Sequence, residues 1–162
     1  MQFIADHYYR AALERIEDAR LLYSQERFAF SMYVSGLAVE GLLRAFYWRK
    51  NPVFDARHDL AQLFKESGIA GAEEQRLTRR GLDSIEITKA LTELFAARDT
   101  VARLWSNDYR FAPESQVRAR LRALGERQNK RGNQVKPSAL ALYNSAKLLI
   151  DRSTVIWTSG KK

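Results

Sequence analysis

Cationic side chains are concentrated between residues 110 and 136, where the residue types suit chemistry with phosphates. Only Glu114 and Glu126 oppose eight lysines and arginines there, so the segment carries +6 of the formal net charge of +8. Arg118 and Arg122 are one helical turn apart and should project together. Cations that neutralise phosphates release counterions, which makes binding strongly salt-dependent. We predict an anion or nucleic-acid surface formed by Arg110, Arg118, Arg122, Arg127, Lys130, Arg131 and Lys136; the alternative is a solvated charged face.

Two aromatic residues, Tyr109 and Phe111, flank the first cation of this segment, Arg110. They occupy a predicted break between helices and could stack on a nucleobase. Packing of both residues onto the end of a helical bundle is the favoured interpretation, with base stacking as the alternative.

Carboxylates and histidines outside this segment offer few catalytic patterns. Glu40 and Arg44 are four residues apart in an apolar helix, which predicts an internal ion pair, with a ligand-binding carboxylate as the alternative. His58 precedes Asp59-Leu60 and is interpreted as a helix cap or a partner of a nearby backbone carbonyl. His7 is expected to be exposed, and the pair Glu73/Glu74 is placed on a solvated face.

Composition excludes several classes of protein. The chain has no cysteine and 2 histidines, which rules out thiolate chemistry and iron–sulfur clusters and argues against a dedicated metal site. No dinucleotide, NTPase or zincin motif is present. We therefore predict neither a metal nor a cofactor. The apolar stretch at 28–48 contains Glu40 and Arg44, so a buried helix is favoured over a membrane span, and the absence of an export signal predicts a cytoplasmic protein.

Helical periodicity dominates the 162 residues, and only 8 glycines and 3 prolines interrupt it. The pattern predicts one all-α domain over residues 1–162, an up-and-down bundle of four long helices with short accessory ones. Asp83 and Glu86 have the spacing of a capping box, and Gly68 ends a short helix. The buried stripe of the last helix, which should begin at Pro137, is predicted to include Leu140, Tyr143, Leu148 and Ile150. The expected long helices cover about 6–25, 27–50, 83–105 and 137–157, and the short ones 58–67, 73–81 and 114–124.

Three short stretches of this pattern resemble one known family. They are the helix over residues 12–19, the run Gly36-Leu-Ala-Val-Glu-Gly-Leu-Leu-Arg-Ala45, and His58-Asp-Leu60 with Leu63 on the next helix. Together with the aromatic and arginine-bearing segment 103–111, they resemble the HEPN family of helical domains over about two thirds of the chain.

The resemblance implies a helical bundle that commonly dimerises and works around RNA or nucleotides. It also implies a nucleotidyltransferase partner in toxin–antitoxin or defence modules. Many members are ribonucleases that use an arginine followed, four to six residues later, by a histidine. The imidazole handles the 2′-hydroxyl proton, and the guanidinium stabilises the phosphorane charge.

This sequence departs from the nuclease pattern, because the residue five positions after Arg103 is Asp108. Arg103, Asn107, Asp108 and Tyr109 are interpreted as a remnant of the family site. The sequence favours a non-catalytic accessory or regulatory subunit that is homodimeric and binds RNA or a nucleotide-handling partner. A metal-independent ribonuclease using those four residues is one alternative. A scaffold whose basic face meets an acidic protein is another.

Overall fold

The computed structural model describes residues 3–52, 58–125 and 134–159, and this part of the chain is helical with no strand. The all-α prediction is confirmed. The helices are α1 (Ala5–Ser24), α2 (Phe28–Lys50), α3 (Leu60–Ser67), α4 (Ile69–Arg79), α5 (Ser84–Leu104), α6 (Glu114–Ala123) and α7 (Val135–Ser159), and a 3₁₀ turn (Asn107–Arg110) lies between α5 and α6. None of the described helices is long and apolar enough to cross a membrane.

Helix α2 is the centre of the fold, because α1, α3, α6, α7 and the 3₁₀ turn all pack against it. Its apolar residues occur nearly all round the helix, as that position requires. The short connection between α1 and α2 contains Glu26, which adopts a φ of 60°. The buried Ser31 hydroxyl donates to the Ala19 carbonyl at 2.8 Å and joins the two helices.

The predicted helix ends at Asp83 and Gly68 are confirmed. The Asp83 carboxylate accepts from the Glu86 amide at 2.8 Å, and the Glu86 carboxylate accepts from the Asp83 amide at 3.1 Å. Gly68 ends α3 with a φ of 70°, which a residue with a Cβ rarely adopts. Helix α4 follows immediately, four residues earlier than the predicted start. The cap of α3 is Asp59, whose carboxylate accepts from the Gln62 amide at 3.0 Å, so the interpretation of His58 as the cap is wrong.

Two predictions about burial need correction, the first only in part. Ile150 of the predicted α7 stripe is buried, and Tyr143 and Leu148 are partly buried, whereas Leu140 is 42% exposed. The buried face of α7 also includes Ala139, Leu142, Ala146 and Leu149. Ala139 and Ala146 are fully buried, although small side chains contribute little to a hydropathy pattern. Helix α7 also begins at Val135 and not at Pro137. Glu73 is fully buried and not on a solvated face, because α4 packs on α5 and α7 and two arginines neutralise the carboxylate.

Candidate functional site: a histidine cleft beside a basic helix

An open cleft of about 460 Å³ lies between the start of α3 and the end of α5. His58 and Asp59 come from the residues just before α3. Asn107 and Asp108 come from the 3₁₀ turn on the other side, and the Trp105 side chain also lines the cleft. Asn107 and Asp108, two of the four residues predicted as the remnant, thus line the same cleft as His58. The sequence analysis did not include His58 in that site.

The His58 imidazole is held by a buried carboxylate. Its Nδ1 lies 2.8 Å from Glu40 Oε2, and the Arg44 Nε donates to Glu40 Oε1 at 2.7 Å. The Glu40 side chain is 5% exposed, whereas that of His58 is 48% exposed. The predicted Glu40–Arg44 ion pair is therefore confirmed, with a third member added by the packing of α3 on α2.

This geometry fixes the direction of the imidazole. An ionised carboxylate can only accept, so Nδ1 donates to Glu40, and in the neutral imidazole the lone pair is on Nε2. A carboxylate that orients a histidine in this way is a common arrangement in general acid–base catalysis. His58 can accordingly take or give one proton at Nε2, on the exposed side of the pair.

The other two residues of the remnant do not line the cleft. Arg103 is exposed on the last turn of α5. Tyr109 is buried, and the Arg120 guanidinium lies 5.4 Å from its ring centroid. Burial raises the pKa of the Tyr109 hydroxyl, so the phenol stays neutral at physiological pH. A buried Tyr109 cannot stack on a base, and of the two flanking aromatics only Phe111, 79% exposed, is accessible.

Trp105 positions the 3₁₀ turn that carries Asn107 and Asp108. Its indole Nε1 donates to the Tyr33 carbonyl at 3.1 Å, and its ring lies directly on Gly36 of α2. Any Cβ at position 36 would overlap the ring. Glycine at this one position of α2 therefore allows the end of α5 to dock.

Gly36→Ala is expected to lower the free energy of unfolding by about 1–3 kcal/mol, because both the helix backbone and the indole ring resist the displacement. Urea denaturation measures the loss. Gly71→Ala is the matched control, because Gly71 is also in a helix and a Cβ there meets nothing within 4 Å. The control should gain up to about 1 kcal/mol from helix propensity. Equal effects at the two positions would contradict the docking role of Gly36.

The basic segment begins beside the 3₁₀ turn. The Arg110 guanidinium lies 4.5 Å from the centroid of the exposed Phe111 ring. On α6, Arg118 donates to Glu114 at 2.9 Å, and Arg122 is exposed with no ion pair to a described residue. The neighbouring Arg120 donates to the Trp105 carbonyl at 3.3 Å.

Of the remaining predicted cations of the segment, only Lys136 is among the described residues. Lys136 is exposed at the start of α7, with Nζ 5.6 Å from the Phe28 ring centroid. Arg127, Lys130 and Arg131 lie outside the described residues. Within the described ranges, no three histidine, aspartate or glutamate side chains are grouped as metal ligands would be.

Comparison with known proteins establishes the family. A family model of the HEPN domain matches residues 5–104, more than half of the chain, so the protein belongs to the HEPN family. The resemblance seen in the sequence is thereby confirmed, and with it membership of a group of helical domains associated with RNA cleavage or nucleotides. The matched region ends at Leu104, immediately before the 3₁₀ turn and the basic segment. Neither the curated proteins nor the solved structures contained a match.

Proposed function

We propose that this HEPN protein is a cytoplasmic accessory or regulatory subunit of a toxin–antitoxin or defence module that binds RNA through segment 110–136 without cutting it. The observation that carries the proposal is the exposed pair formed by Arg110 and Phe111, located where the excess of positive charge begins. Family membership suggests a nucleotidyltransferase as the partner protein.

An unpaired nucleobase would stack on Phe111, while Arg110 and Arg122 would contact the flanking phosphates. Base–aromatic stacking contributes about 1–3 kcal/mol per base and accepts any base. Phosphate contacts add affinity without sequence preference. Such a surface suits single-stranded RNA, whose bases are free to leave the stack.

The residue types near Arg103 support binding without cleavage. Asp108 occupies the position where the nuclease pattern has a histidine. Its exposed carboxylate repels a phosphate and cannot form the cation that an imidazole supplies. Tyr109 is buried and makes no contribution at the surface.

Phe111→Ala is expected to weaken the binding of a fluorescent single-stranded RNA by about 5–100-fold, through the loss of one stacked base. Fluorescence anisotropy at fixed salt measures the dissociation constant. Ile85→Ala is the matched control, because Ile85 is 78% exposed on the first turn of α5, and its removal should leave the affinity unchanged. Equal affinities for wild type and Phe111→Ala would contradict the proposal, as would binding to an acidic protein but to no RNA.

The His58–Glu40 pair favours a second candidate function, a metal-independent ribonuclease. His58 Nε2 would take the proton of a 2′-hydroxyl while the 2′-oxygen bonds to phosphorus and the bond from phosphorus to the 5′-oxygen breaks. The leaving 5′-oxygen takes a proton from water in the open cleft, which gives a 2′,3′-cyclic phosphate and a 5′-hydroxyl. Glu40 would act as a positioning residue that stabilises the imidazolium.

Incubation of RNA with the protein in EDTA separates the two functions. RNA that is bound but left intact supports the accessory role. A cyclic-phosphate product that disappears in His58→Asn and in Arg103→Ala, each prepared identically, would establish the nuclease and overturn the non-catalytic role. In that event Glu40→Gln should lower kcat and alter its pH profile, with KM little changed.

A further inference from the structure

A small pocket of about 180 Å³ lies between the first half of α1 and the middle of α2. Its apolar lining includes Phe3 and Tyr8, whose ring centroids are 5.6 Å apart, and Leu37 and Gly41 of α2. An engineered apolar cavity of about 150 Å³ binds benzene, so this pocket has room for one aromatic ring and little more. It therefore suits a small ligand and does not enclose a whole nucleotide.

The Arg15 guanidinium is a cation of this pocket that has no partner among the described residues. Arg15 is partly buried, lines the pocket and forms no hydrogen bond or ion pair with any residue that the structure describes. Glu14 and Asp18 are within one turn of it on α1, but neither lines the pocket. By contrast, Arg20 of the same helix contacts Glu17 at 3.0 Å. The planar fork of a guanidinium matches a carboxylate, so Arg15 offers the pocket a free anion contact.

The other charges of the pocket do not oppose an anion. Glu40 supplies the one carboxylate among the described lining residues, and both of its oxygens are already bonded, to Arg44 at 2.7 Å and to His58 at 2.8 Å. Arg44 lines the pocket as well, so the charge of Glu40 is neutralised within it. The imidazole of the pocket, His7, is either neutral or positive. These lining residues therefore have an unbalanced positive charge, that of Arg15.

We infer that this α1–α2 pocket binds a small monocarboxylate that carries one aromatic ring. The Arg15 guanidinium would donate two parallel hydrogen bonds to the carboxylate, and the ring would pack against Phe3 and Tyr8. Side chains of a helix lean toward its N-terminus, so the Arg15 side chain extends toward Ala11 and, beyond it, Tyr8. The cation and the aromatic surface thus follow one another in the order that such a ligand needs. The inference uses no residue of segment 110–136 and is independent of RNA binding.

Benzoate is the probe, and NMR of the isotope-labelled protein measures its binding. The amide signals of Tyr8, Ala11 and Gly41 should shift saturably, with a dissociation constant of about 1 mM or lower for a ligand of this size. Benzamidine has nearly the same shape but a positive charge, and it should bind at least about 10-fold more weakly, because it meets Arg15 with the same sign. The absence of a saturable shift up to about 10 mM benzoate would overturn the inference, as would equal binding of benzamidine.

Two variants test the contacts separately. Arg15→Gln should raise the benzoate dissociation constant at least about 10-fold, through the loss of charge-assisted hydrogen bonds. Arg20→Gln is the matched control, because Arg20 is on the same helix but does not line the pocket, and it should leave the affinity unchanged. Ala11→Met should fill the pocket from α1 and abolish binding, and its NMR spectrum shows that the variant is folded. Unchanged affinity in Arg15→Gln or in Ala11→Met would overturn the inference.

Discussion

Trp157→Ala is expected to lower the free energy of unfolding by about 3–5 kcal/mol, the cost of removing a large buried aromatic side chain. The Trp157 side chain is 1% exposed. Its ring stacks on Tyr9 at a centroid distance of 4.7 Å and meets Phe46 edge-on at 5.2 Å. The Arg49 guanidinium lies 3.1 Å from its centroid. Because Trp157 joins α7 to both α1 and α2, the cavity would affect three helices.

Urea denaturation followed by circular dichroism measures the loss. Trp48→Ala is the matched control, because the same residue type on α2 is only partly buried. Its loss should be smaller by 1 kcal/mol or more. Equal losses for the two tryptophans would show that Trp157 does not anchor the end of α7.

Arg76→Ala is the second variant with a large expected effect. It should lower the free energy of unfolding by about 3 kcal/mol, because it leaves a buried carboxylate with a weaker partner. Glu73 is fully buried and accepts two hydrogen bonds from Arg76, at 2.7 and 2.8 Å. The only other cation in contact among described residues, Arg152, is 3.7 Å away. Arg152 also donates to the Ala90 carbonyl and joins α7 to α5.

Arg79→Ala, one turn further on α4, is the control for helix propensity and should cost less than about 0.5 kcal/mol, because Arg79 is exposed. The double variant with methionine at positions 73 and 76 should recover most of the lost stability, since apolar residues of similar volume can replace a buried ion pair. A loss in Arg76→Ala no larger than in Arg79→Ala would contradict a buried role for Glu73.

Much of the fold could be predicted from the sequence because its signals are local. The capping box at Asp83 and Glu86 and the glycine at position 68 depend on neighbouring residues, and the structure has them as expected. The buried face of α7 could be predicted only in part: Ile150 is buried as expected, whereas Ala139 and Ala146 are also buried but contribute little to the hydropathy pattern. The burial of Glu73 likewise depends on helices that are distant in sequence.

The candidate site likewise has one part that could be predicted from the sequence and another that could not. The Glu40–Arg44 pair could be predicted, because it depends only on a four-residue spacing within α2. His58 is 18 residues from Glu40, and only the packing of α3 on α2 brings them together. The sequence signal at this place is Glu40 itself, an acidic residue in a largely apolar helix, and Arg44 already satisfied it. The burial of Tyr109 results from docking of the 3₁₀ turn on α2, which no local pattern indicates.

The salt dependence of RNA binding tests the central claim most directly. The logarithm of the association constant for a single-stranded RNA, plotted against the logarithm of the salt concentration, should fall with a slope of about −3 or steeper if four or more phosphates are neutralised. Arg122→Ala should make the slope shallower by about 0.7, the share of one phosphate on a single strand. A wild-type slope near zero, or one that Arg122→Ala leaves unchanged, would contradict an RNA-binding role for segment 110–136.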